Sequence, residues 1–344
     1  MRRRGRTNEE RFVGRGGCRA SFDLFWWGVE STPEVVSRAQ GCLLGQLAGD
    51  SLGSLVEFKG PAAIVAEYPD GVRSLADGGT WNTIAGQPTD DSEMALLLAR
   101  MLVETGRYEV EAASERYRFW LDSEPFDCGG TIEAGLNGSP DGASEANGAL
   151  MRISPLGIFG AGRDLSELAG WGRADASITH PNPVCVEANA LFVMAIASAV
   201  ESGLDPKTLY GQIEEWAVEM GADSSLIGVI EASKSQPPTD YDSWKSGWVL
   251  VAFGNALWQL LHAKTLEDGI VNTVMRGGDT DTNAAICGAL LGAVHGRGSV
   301  PDQWVKAVLS CRPESGNPKV RRPRPECFWP VDALELAEQL LQTG

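Results

Sequence analysis

Gly41, Gly45, Gly49 and Gly53 recur at every fourth position of the run PEVVSRAQGCLLGQLAGDSLGSLVEF. On a helix that spacing puts all four on one face. Each glycine weakens an isolated helix by roughly 1 kcal/mol relative to alanine. Such a row therefore makes sense only where another backbone comes very close. Gly288, Gly292 and Gly296, behind Ala284, repeat the pattern late in the chain. The two runs read as deeply packed, glycine-faced helices that are candidates to pack against each other. For part of 41–53 a kinked helix followed by a turn is the alternative. Thr32 as N-cap, Pro33 at the first helical position and Glu34 in the first turn mark where the first helix begins.

Apolar periodicity near 3.6 predicts further helices over 91–105, 110–121, 184–201, 206–220, 247–261 and 282–296, with a short terminal one over 331–341. Alternating strand patterns are scarce. Gly- and Pro-rich loops separate the helices at 69–88, 123–148 and 233–246, and a basic, Pro-rich stretch covers 319–325. The expected fold is all-α, a single compact domain over 32–344. Residues 1–31 differ: six arginines fall in the first 15 positions, followed by Phe22, Phe25, Trp26 and Trp27. They read as a basic N-terminal arm, either a loose leader or a segment that docks on an acidic surface.

Acids outnumber bases by 46 to 29, giving a formal charge of −17. That balance opposes non-specific nucleic-acid binding, so no nucleic-acid partner is expected. No apolar run reaches the roughly 20 residues of a membrane helix, so no membrane partner is expected either. The 7 cysteines are odd in number and form no CxxC pair, and there are only 3 histidines. Zinc ribbons, thioredoxin-type sites and disulfide frameworks are disfavoured. Reduced thiols in a cytoplasmic protein are expected.

Two stretches could carry chemistry together. Thr89-Asp90-Asp91 and Gly278-Asp279-Thr280-Asp281-Thr282-Asn283 each open an apolar helix with carboxylates and hydroxyls. Asp and Thr cap helices without any further role, and that reading stays open for each cluster. Carboxylates so close together repel and raise one another's pKa unless a cation intervenes. Asp90, Asp91, Asp279 and Asp281 with two threonines would suit a pair of hard divalent cations, Mg²⁺ or Mn²⁺. Gly49-Asp50-Ser51-Leu52-Gly53 matches G-x-S-x-G, but the residues before it read as helix, not strand, so a nucleophile elbow is not expected. Asn147-Gly148-Ala149-Leu150-Met151-Arg152 follows a polar loop whose N–H groups could meet a phosphate. His180, in Thr179-His180-Pro181-Asn182-Pro183, suits a binding loop better than a core position.

In this order the blocks resemble the ADP-ribosylglycohydrolase family, especially its dinitrogen-reductase-activating and ADP-ribosylarginine hydrolase branch. The matching stretches are GCLLGQLAGDSLGSLVEF, GGTWNTIAGQPTDDSEMALLLAR, PFDCGGT, NGALMR, THPNP and GGDTDTNAAICGALLGAVHG, within residues 37–312. The resemblance implies a compact orthogonal bundle of helices around two adjacent divalent metals. It implies Thr89, Asp90, Asp91, Asp279, Asp281 and Thr282 as metal ligands and Glu57 and Asp127 as catalytic carboxylates. It places Asn147, Gly148, Met151 and His180 at the ADP-ribose. Gly130 stands where other members carry Asn, in the loop facing the leaving group. The implied reaction is hydrolysis of ADP-ribosyl-arginine on a modified protein. Two other readings stay open: a non-catalytic ADP-ribose binder, and an immunity protein whose arm also blocks an ADP-ribosyltransferase.

Overall fold

The computed structural model describes residues 31–344. The arm read from the sequence lies outside the described residues except for Ser31. Thr32 does cap the first helix, its Oγ1 accepting the Val35 N–H at 3.4 Å. The chain then runs through α1 (Pro33–Gly53), α2 (Pro61–Glu67), α3 (Asp90–Thr105), α4 (Val110–Asp122) and α5 (Gly130–Leu136). It continues through α6 (Ser154–Phe159), α7 (Leu165–Ser177), α8 (Pro183–Ser202), α9 (Pro206–Glu219) and α10 (Ser224–Ala232). The last third holds α11 (Val249–His262), α12 (Leu266–Val274), α13 (Thr280–His295), α14 (Asp302–Ser310) and α15 (Ala333–Thr343). Among the described residues the only β-type pairings are two isolated bridges. The fold is all-α, as the periodicity predicts.

The glycine rows meet. A Cβ built on Gly41, Gly45, Gly49 or Gly53 would lie inside 3.0 Å of backbone atoms of Gly292, Gly288, Ala284 and Asp281 respectively. As the numbers rise along α1 they fall along α13, so the two helices run antiparallel with their backbones in contact. α1 is one unbroken helix through Gly53, with no turn inside 41–53, and every residue from Ala39 to Gly53 is buried. The contact sets the end of α1 against the start of α13. Thr280 Oγ1 donates to the Gly53 carbonyl there at 2.7 Å.

α8 is long and apolar enough to cross a membrane by length and composition, but most of it is buried inside the protein. Such burial is that of a core helix. Other differences from the sequence reading are local. The segment 123–148 is not all loop, since it contains α5. The helix expected from 247 starts at Val249, because Ala146 and Trp248 form a bridge and Asn147 N–H donates to the Gly247 carbonyl at 3.0 Å. That bridge ties loop 233–246 to the Asn147 turn.

Candidate active site and metal centre

The end of α1, the start of α3 and the start of α13 converge on one cleft of about 310 Å³. Just past α1, Glu57 and Phe58 form one wall. Phe58 N–H donates to the Gly278 carbonyl at 2.8 Å and Gly278 N–H to the Lys59 carbonyl at 3.0 Å. These two bonds fix the Glu57 turn to the turn that delivers Asp279. Gly277 and Gly278 make that turn with φ of +77° and +76°, a region that glycine enters without steric cost.

Asp90, Asp279, Asp281 and Thr282 line the cleft with Glu57 and Asp127. One carboxylate oxygen each from Glu57, Asp127 and Asp281 can be chosen so that all lie within 4.8 Å of one another. Asp91 and Thr89 sit beneath this floor, both fully buried. Asn147, Gly148, Met151 and His180 line the remaining wall. The structure therefore brings the residues singled out in the sequence into one place, drawn from distant parts of the chain. His180, read as a binding-loop residue and not a core one, does line the cleft but is wholly buried.

Two contributors were not legible in the sequence. Asp50, buried on α1, accepts the N–H groups of Thr89 and Ser92 and, at 2.9 Å, the Thr89 hydroxyl. It caps α3 from another helix, a task that Thr89 was expected to perform with its own side chain. Trp81 donates its indole N–H to Glu57 Oε2 at 2.6 Å and so sets the direction of that carboxylate. Ser51, the serine of the G-x-S-x-G match, lies inside α1 and accepts the Gly86 N–H at 3.0 Å, a packing role.

The electrostatics are unbalanced. Burial first, and then the neighbouring carboxylates, push Asp90, Asp91 and Asp281 far above the usual carboxylate range. Burial, with Asp279 next, raises Glu57 to about 7; burial, with Glu57 next, raises Asp127 to about 8. Among the described residues no lysine or arginine lines the cleft. Asp91 Oδ1 and Asp281 Oδ2 are buried without any hydrogen-bond partner among the described residues. Unpaired buried carboxylate oxygens are costly, and the donor set here is oxygen alone. The residues thus fit hard divalent cations. Asp90, Asp91, Asp279 and Asp281 would hold them, with Thr89 and Thr282 as hydroxyl donors.

A stability test follows from these shifts. A carboxylate whose folded pKa is raised binds more protons in the folded state, so stability falls as pH rises towards that pKa. His180 works the other way: burial pushes it down to about 3 from its ordinary 6.5, and its effect is complete above 6.5. With chelator present, the melting temperature is expected to fall as pH rises from about 6.5 to about 8, the range where Glu57 and Asp127 lose protons. Added Mg²⁺ or Mn²⁺ is expected to reverse the fall, with a gap that widens with pH. A chelated protein that grows more stable over this range would contradict the unpaired-carboxylate picture.

The helical fold and the oxygen-lined cleft define a class, and comparison with known proteins agrees. The chain belongs to the ADP-ribosylglycohydrolase family, whose sequence profile matches residues 31–342. Members of this family are glycohydrolases that release ADP-ribose from modified substrates. Among its relatives, the ADP-ribosyl-dinitrogen reductase glycohydrolase of Rhodospirillum rubrum is 29% identical over 286 residues, covering 80% of this chain and 92% of that protein. The ADP-ribosylarginine hydrolase Tri1 of Pseudomonas putida is 27% identical over 297 residues, covering 80% of this chain and 76% of that one. A solved chain described as an ADP-ribosylglycohydrolase-related protein complex superposes with a TM-score of 0.73 at 24% identity, over 91% of this chain and 99% of that chain.

Proposed function

We propose that this protein hydrolyses the N-glycosidic bond of ADP-ribosyl-arginine on modified proteins with two divalent cations held by Thr89, Asp90, Asp91, Asp279, Asp281 and Thr282. The observation that carries the reading is the meeting of Glu57, Asp127 and Asp281 on the floor of a cleft that no described lysine or arginine lines. An anionic diphosphate would be repelled by that floor unless cations neutralise it. Bound cations would supply positive charge to orient the ribose hydroxyls and to make a water acidic near neutral pH.

The chain's own carboxylates handle the proton. Glu57 and Asp127 line the cleft together, carboxylates placed to exchange a proton with a water there. As the ribose anomeric carbon forms its bond to water oxygen, its bond to the guanidinium nitrogen breaks. One of these carboxylates accepts the water's proton. The leaving guanidine takes a proton back, and the products are ADP-ribose and a restored arginine cation.

The rim supports a cationic acceptor. Phe58 is 68% exposed and its φ of +64° is strained for a residue with a Cβ. Trp81 stands edge-on to it at 6.4 Å, and Phe126 is 6.0 Å beyond. The exposed Phe58 ring beside Glu57 suits a guanidinium, and the Phe126 ring already has the Arg322 guanidinium 5.8 Å from its centre.

Arginine-, serine- and nucleotide-linked ADP-ribose substrates, compared side by side, test the reading. Release from the arginine linkage with Mg²⁺ or Mn²⁺, abolished by EDTA, is expected. Full activity in EDTA, or a preference for another linkage, would overturn it. Trp81→Phe, which removes the N–H donor from Glu57, is expected to lower kcat roughly tenfold to a hundredfold with little change in KM. An unchanged kcat would remove Trp81 from the catalytic arrangement.

A further inference from the structure

Behind the wall of the cleft lies a buried polar cluster that the hydrolytic scheme does not use. Arg152 is wholly buried. Its Nε donates to Asp175 Oδ1 at 3.1 Å, its Nη2 to the Asp175 carbonyl at 3.1 Å and its Nη1 to Thr179 Oγ1 at 3.0 Å. The guanidinium also lies 4.2 Å from the centre of the Tyr117 ring, and Tyr117 Oη donates to Asp175 Oδ2 at 2.9 Å. Asp175 neutralises the charge, and the fork geometry leaves Arg152 one orientation.

Thr179 Oγ1 has two partners, Arg152 Nη1 and, at 2.7 Å, His180 Nδ1. Guanidinium nitrogens only donate. Thr179 Oγ1 is therefore the acceptor towards Arg152, and its own hydrogen has one acceptor to point at, His180 Nδ1. If Nδ1 instead carried the ring proton, the Thr179 hydroxyl hydrogen would be buried with no acceptor, a costly arrangement. In the neutral ring the proton then belongs on Nε2. That nitrogen is buried, has no partner among the described residues, and belongs to a residue that lines the cleft. Burial, with the Arg152 charge next, holds the ring neutral.

We infer that Arg152 and Thr179 are positioning residues that lock His180 in the tautomer whose Nε2–H is offered to the cleft as a donor for an oxygen of the ADP-ribosyl group. The ligand named here rests on the proposed reading of the cleft; the tautomer does not. The Arg152–Thr179 pair converts a switchable histidine into a fixed neutral donor, which adds no charge beside the cations that the floor would hold.

Nitrogen-15 labelling of the histidines in the full chain, read by long-range proton–nitrogen correlation without ligand, tests the tautomer directly. His180→Gln assigns the signals. His180 is expected to show a protonated Nε2 and a bare Nδ1 across neutral pH. Thr179→Val is expected to lose that bias and Thr179→Ser to keep it, while the signals of His262 and His295 stay in place as a check on folding. A protonated Nδ1 or a mixed population in the unsubstituted protein would overturn the inference, as would Thr179→Val keeping the Nε2–H form. Calorimetric titration with ADP-ribose and Mg²⁺ reads the second half. Thr179→Val is expected to weaken binding roughly tenfold, the scale of one hydrogen bond, and Thr179→Ser to restore it. Equal affinity for all three proteins would overturn the donor role. Absence of ADP-ribose binding by the unsubstituted protein, with the tautomer as expected, would instead overturn the reading of the cleft.

Discussion

Asp281→Asn is expected to lower ADP-ribose release roughly a thousandfold, equivalent to several kcal/mol of transition-state stabilisation by a bound cation. Asp281 lines the cleft at the start of α13. It is 1% exposed, its Oδ2 has no partner among the described residues, and Glu57 and Asp127 stand within the same cluster. Converting it to an amide removes a carboxyl that is costly to ionise in a floor that has too many. Without divalent cations the variant is therefore expected to melt at a higher temperature than the unsubstituted protein. With Mn²⁺ the order is expected to reverse, because the variant has lost a ligand. Opposite signs for activity and chelated stability separate a functional carboxylate from a structural one, whose loss would lower both. Undiminished turnover, or a full stabilisation by Mn²⁺, would show that Asp281 holds no cation.

Gly49→Ala is the second large effect. By helix propensity alone the change should stabilise α1 by roughly 1 kcal/mol. The added methyl instead meets the Ala284 backbone inside 3.0 Å, where no side chain can rotate away. The two helices must separate, and a loss of roughly 3 kcal/mol or more is expected in denaturant titrations. Activity is expected to fall as well, since α1 carries Asp50 next to Gly49 and α13 carries Asp281 at the abutting end. Gly211→Ala, on α9 with open space at its Cβ position, is the matched control and is expected to leave stability unchanged or raised. A Gly49→Ala protein as stable as the control would mean that the α1–α13 contact is looser than described.

The glycine rows made the central helix pair legible because spacing of four has one physical consequence on a helix. The Thr89-Asp90-Asp91 and Asp279–Thr282 clusters were legible because several carboxylates at two helix starts exceed what capping requires. Asp50 was hidden for the opposite reason: a single acid in an apolar helix gives no hint that its partners are Thr89 and Ser92 across a helix interface. Trp81 stood in a quoted block, but nothing local says that its N–H meets Glu57. Arg324 read as one charge in a basic, Pro-rich stretch. It is buried, and pairs at 2.8 Å with Glu93 on α3 while reaching the Ser123 carbonyl at 2.9 Å. It thereby anchors the C-terminal segment to α3, whose start carries Asp90, and to the segment leading to Asp127. The turn-forming neighbours of His180 point to a binding loop, and it does line the cleft, but nothing local says that it is wholly buried there.

The most direct test is anomalous diffraction from crystals grown with saturating Mn²⁺ and ADP-ribose. Two manganese peaks are expected between the start of α3, at Asp90 and Asp91, and the start of α13, at Asp279 and Asp281, with the ribose against them. No peak at that junction, or manganese bound only elsewhere on the surface, would contradict the claim that these distant stretches share a pair of cations.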